Sequence, residues 1–138
     1  MRKPVQKAGV VAYRENNLGE IEVILVSSRK LNDSWVFPAG GVDYGETPAE
    51  AAERECLEES GYKVEIEQPL DIMVIEGGKR HVLYTFFRAR AIEDTGDYER
   101  DRKRKWCGVD DLPDTVAYLF REVAESFQKN ILGSQSRS

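Results

Sequence analysis

Residues 47–61 read TPAEAAERECLEESG, and this stretch marks both ends of a helix. Thr47 is a natural N-cap, Pro48 suits the first helical position, Glu50 completes a capping box, and Gly61 supplies the stop. Between these marks Glu55, Glu58 and Glu59 recur three and four residues apart, so a helix gathers them into one sector of its last two turns. Like charges at that spacing cost about 0.2–0.5 kcal/mol per pair, and carboxylates near a helix C-terminus also oppose the macrodipole. A solvated acidic face is the ordinary explanation of such a run. A divalent cation would turn the same repulsion into ligation, and the flanking residues decide between the two.

Outward from this helix the chain alternates strand-like and turn-like segments. Residues 8–14 and 21–28 are apolar and rich in β-branched side chains, and the turn-like ENNLGE between them predicts a hairpin-like connection. Residues 35–41, WVFPAGG, predict a short strand running into a glycine loop. Residues 64–76 and 81–91 are further strands broken by Gly77 and Gly78, and residues 106–109 form another short one. Residues 114–131 show helical spacing, with Val116, Leu119, Phe120, Val123, Ala124 and Phe127 as a stripe facing the core. A long polar loop is expected over residues 92–105 and a frayed tail over 133–138. The class is mixed α/β, in one domain spanning residues 1–138.

At 138 residues and 15.7 kDa the chain is large enough for one real core. MRKPVQK at the N-terminus lacks an apolar signal segment and no run reaches membrane-spanning length, so a cytoplasmic protein without a membrane role is expected, an already removed export signal being the alternative. Cys56 and Cys107 are too few for a disulfide framework. His81 is the sole histidine, and no HExxH or CxxC occurs, which removes zinc-centred and triad chemistry. Any hydrolysis falls to carboxylates and a metal.

Taken from Gly40, the run continues through Glu46, Arg54, Glu55, Cys56, Glu58, Glu59, Gly61 and Tyr62. It resembles the Nudix box, matching all seven of its fixed positions, namely Gly40, Glu46, Arg54, Glu55, Glu58, Glu59 and Gly61. Cys56 and Tyr62 stand where the family usually carries an aliphatic residue, and either can still pack against a sheet. The resemblance implies the Nudix fold, a mixed β-sheet between helices with a loop-helix-loop catalytic motif. It also implies Mg²⁺, with Mn²⁺ as a substitute, held by Glu55, Glu59 and the Gly40 carbonyl. Glu58 would activate water or bind a second metal, and Arg54 would orient the glutamates by ion pairing, with Glu46 nearby. Magnesium suits such oxygen donors, and attack on a phosphoanhydride needs the charge neutralisation it brings.

VILVSSRKLNDSWVFPAGG at 23–41 and DRKRKWCGVDDL at 101–112 resemble the diphosphoinositol polyphosphate phosphohydrolase branch, although that branch usually has three glycines where this chain has Ala39, Gly40 and Gly41. The implied reaction removes the terminal phosphate of an inositol pyrophosphate; the rival substrates are diadenosine polyphosphates or a capped RNA end. The chain's net charge is −5, yet basic residues cluster as Arg29 and Lys30, as Lys79, Arg80 and His81, and as Arg102, Lys103, Arg104 and Lys105. Screening over about 8 Å lets such local surfaces act despite an acidic total. Arg29, Lys30, Lys79, Arg80, His81, Arg102 and Arg104, with Gly40 and Gly41, are therefore the expected contacts of a polyanionic small molecule acting on a monomer. Ser27 and Ser28 join them as phosphate donors, against the alternative that strand-end serines complete local backbone bonding. A module that reads inositol phosphates or RNA without catalysis is the rival of another class, and three clustered acids speak against it.

Overall fold

In the computed structural model, which describes residues 3–31, 33–78 and 80–135, a seven-stranded mixed sheet lies between helices. The chain runs β1 (Val5–Glu15), β2 (Ile21–Ser27), β3 (Trp35–Val36), β4 (Ala39–Gly41), α1 (Pro48–Ser60), β5 (Tyr62–Glu76), β6 (Val82–Asp94), β7 (Arg104–Gly108), α2 (Leu112–Thr115) and α3 (Arg121–Gln135). β1 is the hub. Its C-terminal end pairs antiparallel with β2, placing Tyr13 opposite Val23, and its first half pairs antiparallel with β4, placing Ala8 opposite Gly40. On its other edge β1 runs parallel to β6, with Lys7 opposite Tyr84. β5 closes that side of the sheet, while β2 carries β3 and β7, Val26 lying opposite both Val36 and Arg104.

Alternation along the strands sorts two cores. Ala8, Val10, Ala12 and Ile24 pack with Ala51, Ala52 and Cys56 of α1. Val11, Val23 and Leu25 face the other way and join Phe37, Phe86, Phe120, Val123 and Phe127 under α3. With both faces covered, β1 and β2 read as nearly continuous apolar runs. Burying each of Phe37, Phe86 and Phe127, all below 3 % exposed, contributes about 1.5–3 kcal/mol.

Four stretches differ from the sequence expectation. The glycines at 40 and 41 lie in a strand instead of a loop, because β4 hydrogen-bonds to the first half of β1. The helix expected over 114–131 is broken: Val116 is extended, and Ala117 donates its backbone N–H to the Trp35 carbonyl at 2.9 Å, so sheet pairing interrupts the helical ladder. Its apolar stripe nevertheless faces the core, with Val116, Phe120, Val123, Ala124 and Phe127 buried. The polar loop is shorter than expected, since β6 reaches Asp94 and β7 begins at Arg104. Of the expected tail, residues 133–135 continue α3 and the last three lie outside the described residues.

Candidate active site

The two caps of α1 fix where its acids point. Thr47 Oγ1 accepts from the Glu50 N–H at 3.1 Å while the Glu50 carboxylate accepts from the Thr47 N–H at 2.9 Å. Gly61 takes a left-handed φ of 77° and donates to the Leu57 carbonyl. Between them the helix delivers Glu55 and Glu59 inward and leaves Glu58 half exposed.

Arg54 organises the outer half of this cluster. Its guanidinium holds Glu46 in a fork, Nε to Oε2 at 2.8 Å and Nη2 to Oε1 at 3.0 Å. It also donates to the Gly41 carbonyl at 3.0 Å, to Glu55 at 2.8 Å, and to Glu58 at 3.3 and 3.4 Å. Asp43 adds an ion pair at 3.3 Å. One side chain thereby ties β4, the following loop and two turns of α1. Arg54 holds the Glu46 carboxyl below the usual carboxylate range, and the Asp43 N–H reinforces this.

Glu59 forms the inner half. It is 3 % exposed, accepts from the Ala39 N–H at 3.4 Å, and faces the Arg102 guanidinium at 3.6 Å. Burial pushes its carboxyl well above the usual range, Arg102 opposes that shift, and the Glu55 carboxyl beside it adds to it. The Glu55 carboxylate rests on Gly40 where a Cβ would sit, so a side chain at position 40 would displace the carboxylate from this place. Among the described residues no three acidic, cysteine or histidine side chains already converge as an ion cage. The donors are nonetheless all oxygen, and Glu46, Glu55, Glu58 and Glu59 outnumber the Arg54 and Arg102 guanidinium groups that face them, which fits a hard divalent cation.

Beside Glu59 opens a cavity of about 180 Å³. Lys7, Arg29, Lys30 and Arg102 line it with Ser28, Glu76 and the rings of Phe37, Tyr84 and Phe120. Burial and the neighbouring Lys30 hold the Lys7 ammonium below its ordinary value, while Glu76 and Glu59 pull the other way. Arg29 is engaged by Asp101 at 2.6 and 2.7 Å and by Glu99 at 3.2 Å, and Arg102 donates to Glu99 and to the Ser27 carbonyl. Lys7 and Lys30 pair with no carboxylate among the described residues and are the cations the cavity presents.

The expected contact residues thus divide. Arg29, Lys30, Ser28 and Arg102 reach the cavity, and Gly40 and Gly41 lie under Glu55 and Arg54. The serine hydroxyls accept backbone N–H groups, Ser28 from the local Lys30 and Leu31 and Ser27 from the distant Lys103. Arg80 and His81 stand away from the cavity lining, Arg80 donating to the Lys3 carbonyl and the His81 carbonyl accepting from Val5. Lys79 lies outside the described residues. Arg104 is a correction: it forks onto Asp94 at 2.8 and 3.1 Å, donates to the Ser60 carbonyl at 2.8 Å, and lies over the rings of Tyr62 and Tyr98. Spent on these groups, it is turned from the cavity. Lys7, Glu76 and Tyr84 were missed; the available signal was one charged residue at the head of the apolar β1 run.

The sequence pattern of the NUDIX domain family matches residues 3–127. Diphosphoinositol polyphosphate phosphohydrolase 2 of Rattus norvegicus is 36 % identical over 77 % of this chain and 59 % of its own length. Diphosphoinositol polyphosphate phosphohydrolase 3-alpha of Mus musculus is 33 % identical over 77 % of this chain and 65 % of its own length. The matched part of the chain thus spans about three fifths of the length of these curated relatives. The structure of a C. elegans Ap4A hydrolase binary complex superposes with a TM-score of 0.74, 23 % identity, and coverage of 94 % of this chain and 98 % of that one, a likeness of fold. No helix among the described residues is long and apolar enough to cross a membrane.

Proposed function

The chain belongs to the Nudix family, and from that membership we propose that it hydrolyses phosphoanhydride bonds, removing the terminal phosphate of diphosphoinositol polyphosphates. Divalent-metal dependence is general among Nudix hydrolases; Mg²⁺ is the ion proposed here, with Mn²⁺ as substitute. The observation that carries the reading is that Glu59 of α1 opens onto a cavity lined by four cations, of which Lys7 and Lys30 are in no ion pair among the described residues, with Glu76 as the other acid of the lining. The names of the curated relatives point to the same substrate class.

Glu55, Glu59 and the Gly40 carbonyl would hold the ion. When bound, it neutralises the anionic oxygens that screen phosphorus from attack. Glu58, exposed enough to meet water and steadied by Arg54, accepts the proton of the attacking water. Lys7 and Lys30 bind the remaining phosphates as point charges, and Arg102, in the same lining, faces Glu59.

An inositol ring offers no π-face, and the aromatic rings of the cavity are consistent with that. Tyr84 stacks on Phe86 at 5.9 Å and meets Phe120 edge-on, while Phe37 packs against Phe86 and Phe120. Each ring packs against others of the set, and the Lys7 ammonium lies over the Tyr84 ring at 5.7 Å. One observation favours a second reading, a dinucleoside polyphosphate: Tyr118, 88 % exposed, adjoins the cavity residue Leu119 and offers a ring for base stacking.

Parallel incubations with an inositol pyrophosphate, a diadenosine polyphosphate and capped RNA, following the released products, separate these substrates. Fastest phosphate release is expected from the inositol pyrophosphate. Lys7→Met with Lys30→Met should raise its KM far more than that of the dinucleotide. Equal effects on both, or a larger effect of Tyr118→Ala, would transfer the assignment to the nucleotide.

A further inference from the structure

The last turn of α1 carries Glu58 and Glu59 against its own dipole, with no basic residue in that turn to offset them. Its C-terminal carbonyls would ordinarily turn to water or to a local cap. Gly61 N–H and Ser60 Oγ cap the Leu57 and Cys56 carbonyls locally, and one distant segment takes those of Glu58, Ser60 and Gly61. The Glu99 N–H donates to the Glu58 carbonyl at 3.0 Å, Arg104 Nη1 to the Ser60 carbonyl at 2.8 Å, and Thr95 gives both its N–H and its hydroxyl to the Gly61 carbonyl, at 2.8 and 2.7 Å. The contact is close: a Cβ at Gly61 would lie 3.3 Å from the Asp97 carbonyl oxygen and from the Tyr98 ring.

Arg104 supplies the missing cation. Asp94 fixes its fork, Tyr62 and Tyr98 flank it, and its third partner is the backbone of the residue that follows Glu59. Resting on the hydrolase reading above, we propose that Arg104 is a positioning residue that, anchored by Asp94, holds the final turn of α1 in the register that presents Glu58 and Glu59 to the ion and the attacking water. It does not touch substrate.

The test compares wild type with Arg104→Met, Arg104→Lys, Asp94→Asn and the Met/Asn double variant. Three quantities are read well below each melting point: kcat and KM on an inositol pyrophosphate, Mn²⁺ affinity without substrate, and amide exchange of residues 58–61 in metal-free protein. Arg104→Met should lower kcat and Mn²⁺ affinity by about 10- to 100-fold, as loss of an outer-sphere support does, with KM little changed and exchange in that turn faster. Arg104→Lys should recover part of the loss. Asp94→Asn should act in the same direction, and the double variant should be no worse than Arg104→Met.

A raised KM at unchanged kcat would make Arg104 a substrate contact and overturn the proposal. So would a lowered melting point with kcat, Mn²⁺ affinity and local exchange all unchanged, which is the signature of stability alone. Should Arg104→Met fail to fold, the Lys and Asn variants carry the same comparison. If wild type released phosphate from no diphosphate, the hydrolase reading would fall, while Mn²⁺ affinity and exchange would still judge the clasp.

Discussion

The two ends of α1 are held in opposite ways. The first turn closes on itself: Thr47 and Glu50 exchange hydrogen bonds within four residues, and Pro48 removes one donor that would need a partner. The last turn does this only in part: Gly61 donates to the Leu57 carbonyl and Ser60 Oγ to the Cys56 carbonyl, while the carbonyls of Glu58, Ser60 and Gly61 and the charges of the glutamates are left to groups elsewhere. Its remaining carbonyls and its charges are met by Thr95, Glu99, Arg102 and Arg104, 34 to 44 residues downstream. The contrast separates stability from function. A locally satisfied end can be weakened without moving the acids, whereas the distant clasp sets their position directly.

The sharpest way to break this contrast is Glu58→Gln. Loss of a general base lowers turnover by about 10²- to 10⁴-fold, and we expect kcat on an inositol pyrophosphate to fall on that scale with ligand binding retained. Thermal stability should hold or rise, since one like charge leaves a crowded turn. A variant that kept its turnover would place the base elsewhere and leave the last turn without its claimed role.

Arg54→Met comes next. Arg54 is 29 % exposed on its side chain and serves Glu46, Glu55, Glu58 and the Gly41 carbonyl at once. Its loss should cost about 2 kcal/mol in urea unfolding, between the values for surface and buried pairs, and should depress kcat as well. Thr47→Ala, at the local end, should cost about 1 kcal/mol of stability and leave kcat unchanged. If Thr47→Ala reduced kcat as Arg54→Met does, the two ends of the helix would be mechanically coupled and the division would fail.

The same division explains what the sequence discloses. The caps of α1, the spacing of its acids and the alternation of β1 and β2 are short-range patterns, so Thr47, Glu55, Glu59 and the core stripe through Phe127 are readable directly. Lys7 reaches the cavity only because β1 pairs parallel with β6 in a register that sets it opposite Tyr84, a long-range choice that no local pattern encodes. The basic run at 102–105 misleads for a related reason. Its charges look alike in sequence, yet Arg102 meets Glu59, Arg104 forks onto Asp94, and Lys105 lies over the Trp35 ring at 4.6 Å. The carboxylates that claim Arg29 sit some 70 residues away, so a basic pair read as open surface is partly spent.

The smallest expected effect lies in acid, at the anchor of the distant clasp. The Arg104 guanidinium holds the Asp94 carboxyl below its ordinary value, with the Gly96 N–H assisting and partial burial opposing. In the unfolded chain the same group titrates near its free value of about 3.9. The folded state therefore binds its proton more weakly, and the linkage contributes stability above the unfolded value, lost as pH falls through the lower folded one. Urea unfolding of wild type and Asp94→Asn should differ steadily near neutral pH, begin to draw together as pH falls past the unfolded value, and converge only below the still lower folded one, where the wild-type carboxylate too is neutralised. A difference that stayed constant into acid would mean that Asp94 supports the turn by shape and not by charge. The role of Arg104 would then rest on its bond to the Ser60 carbonyl alone.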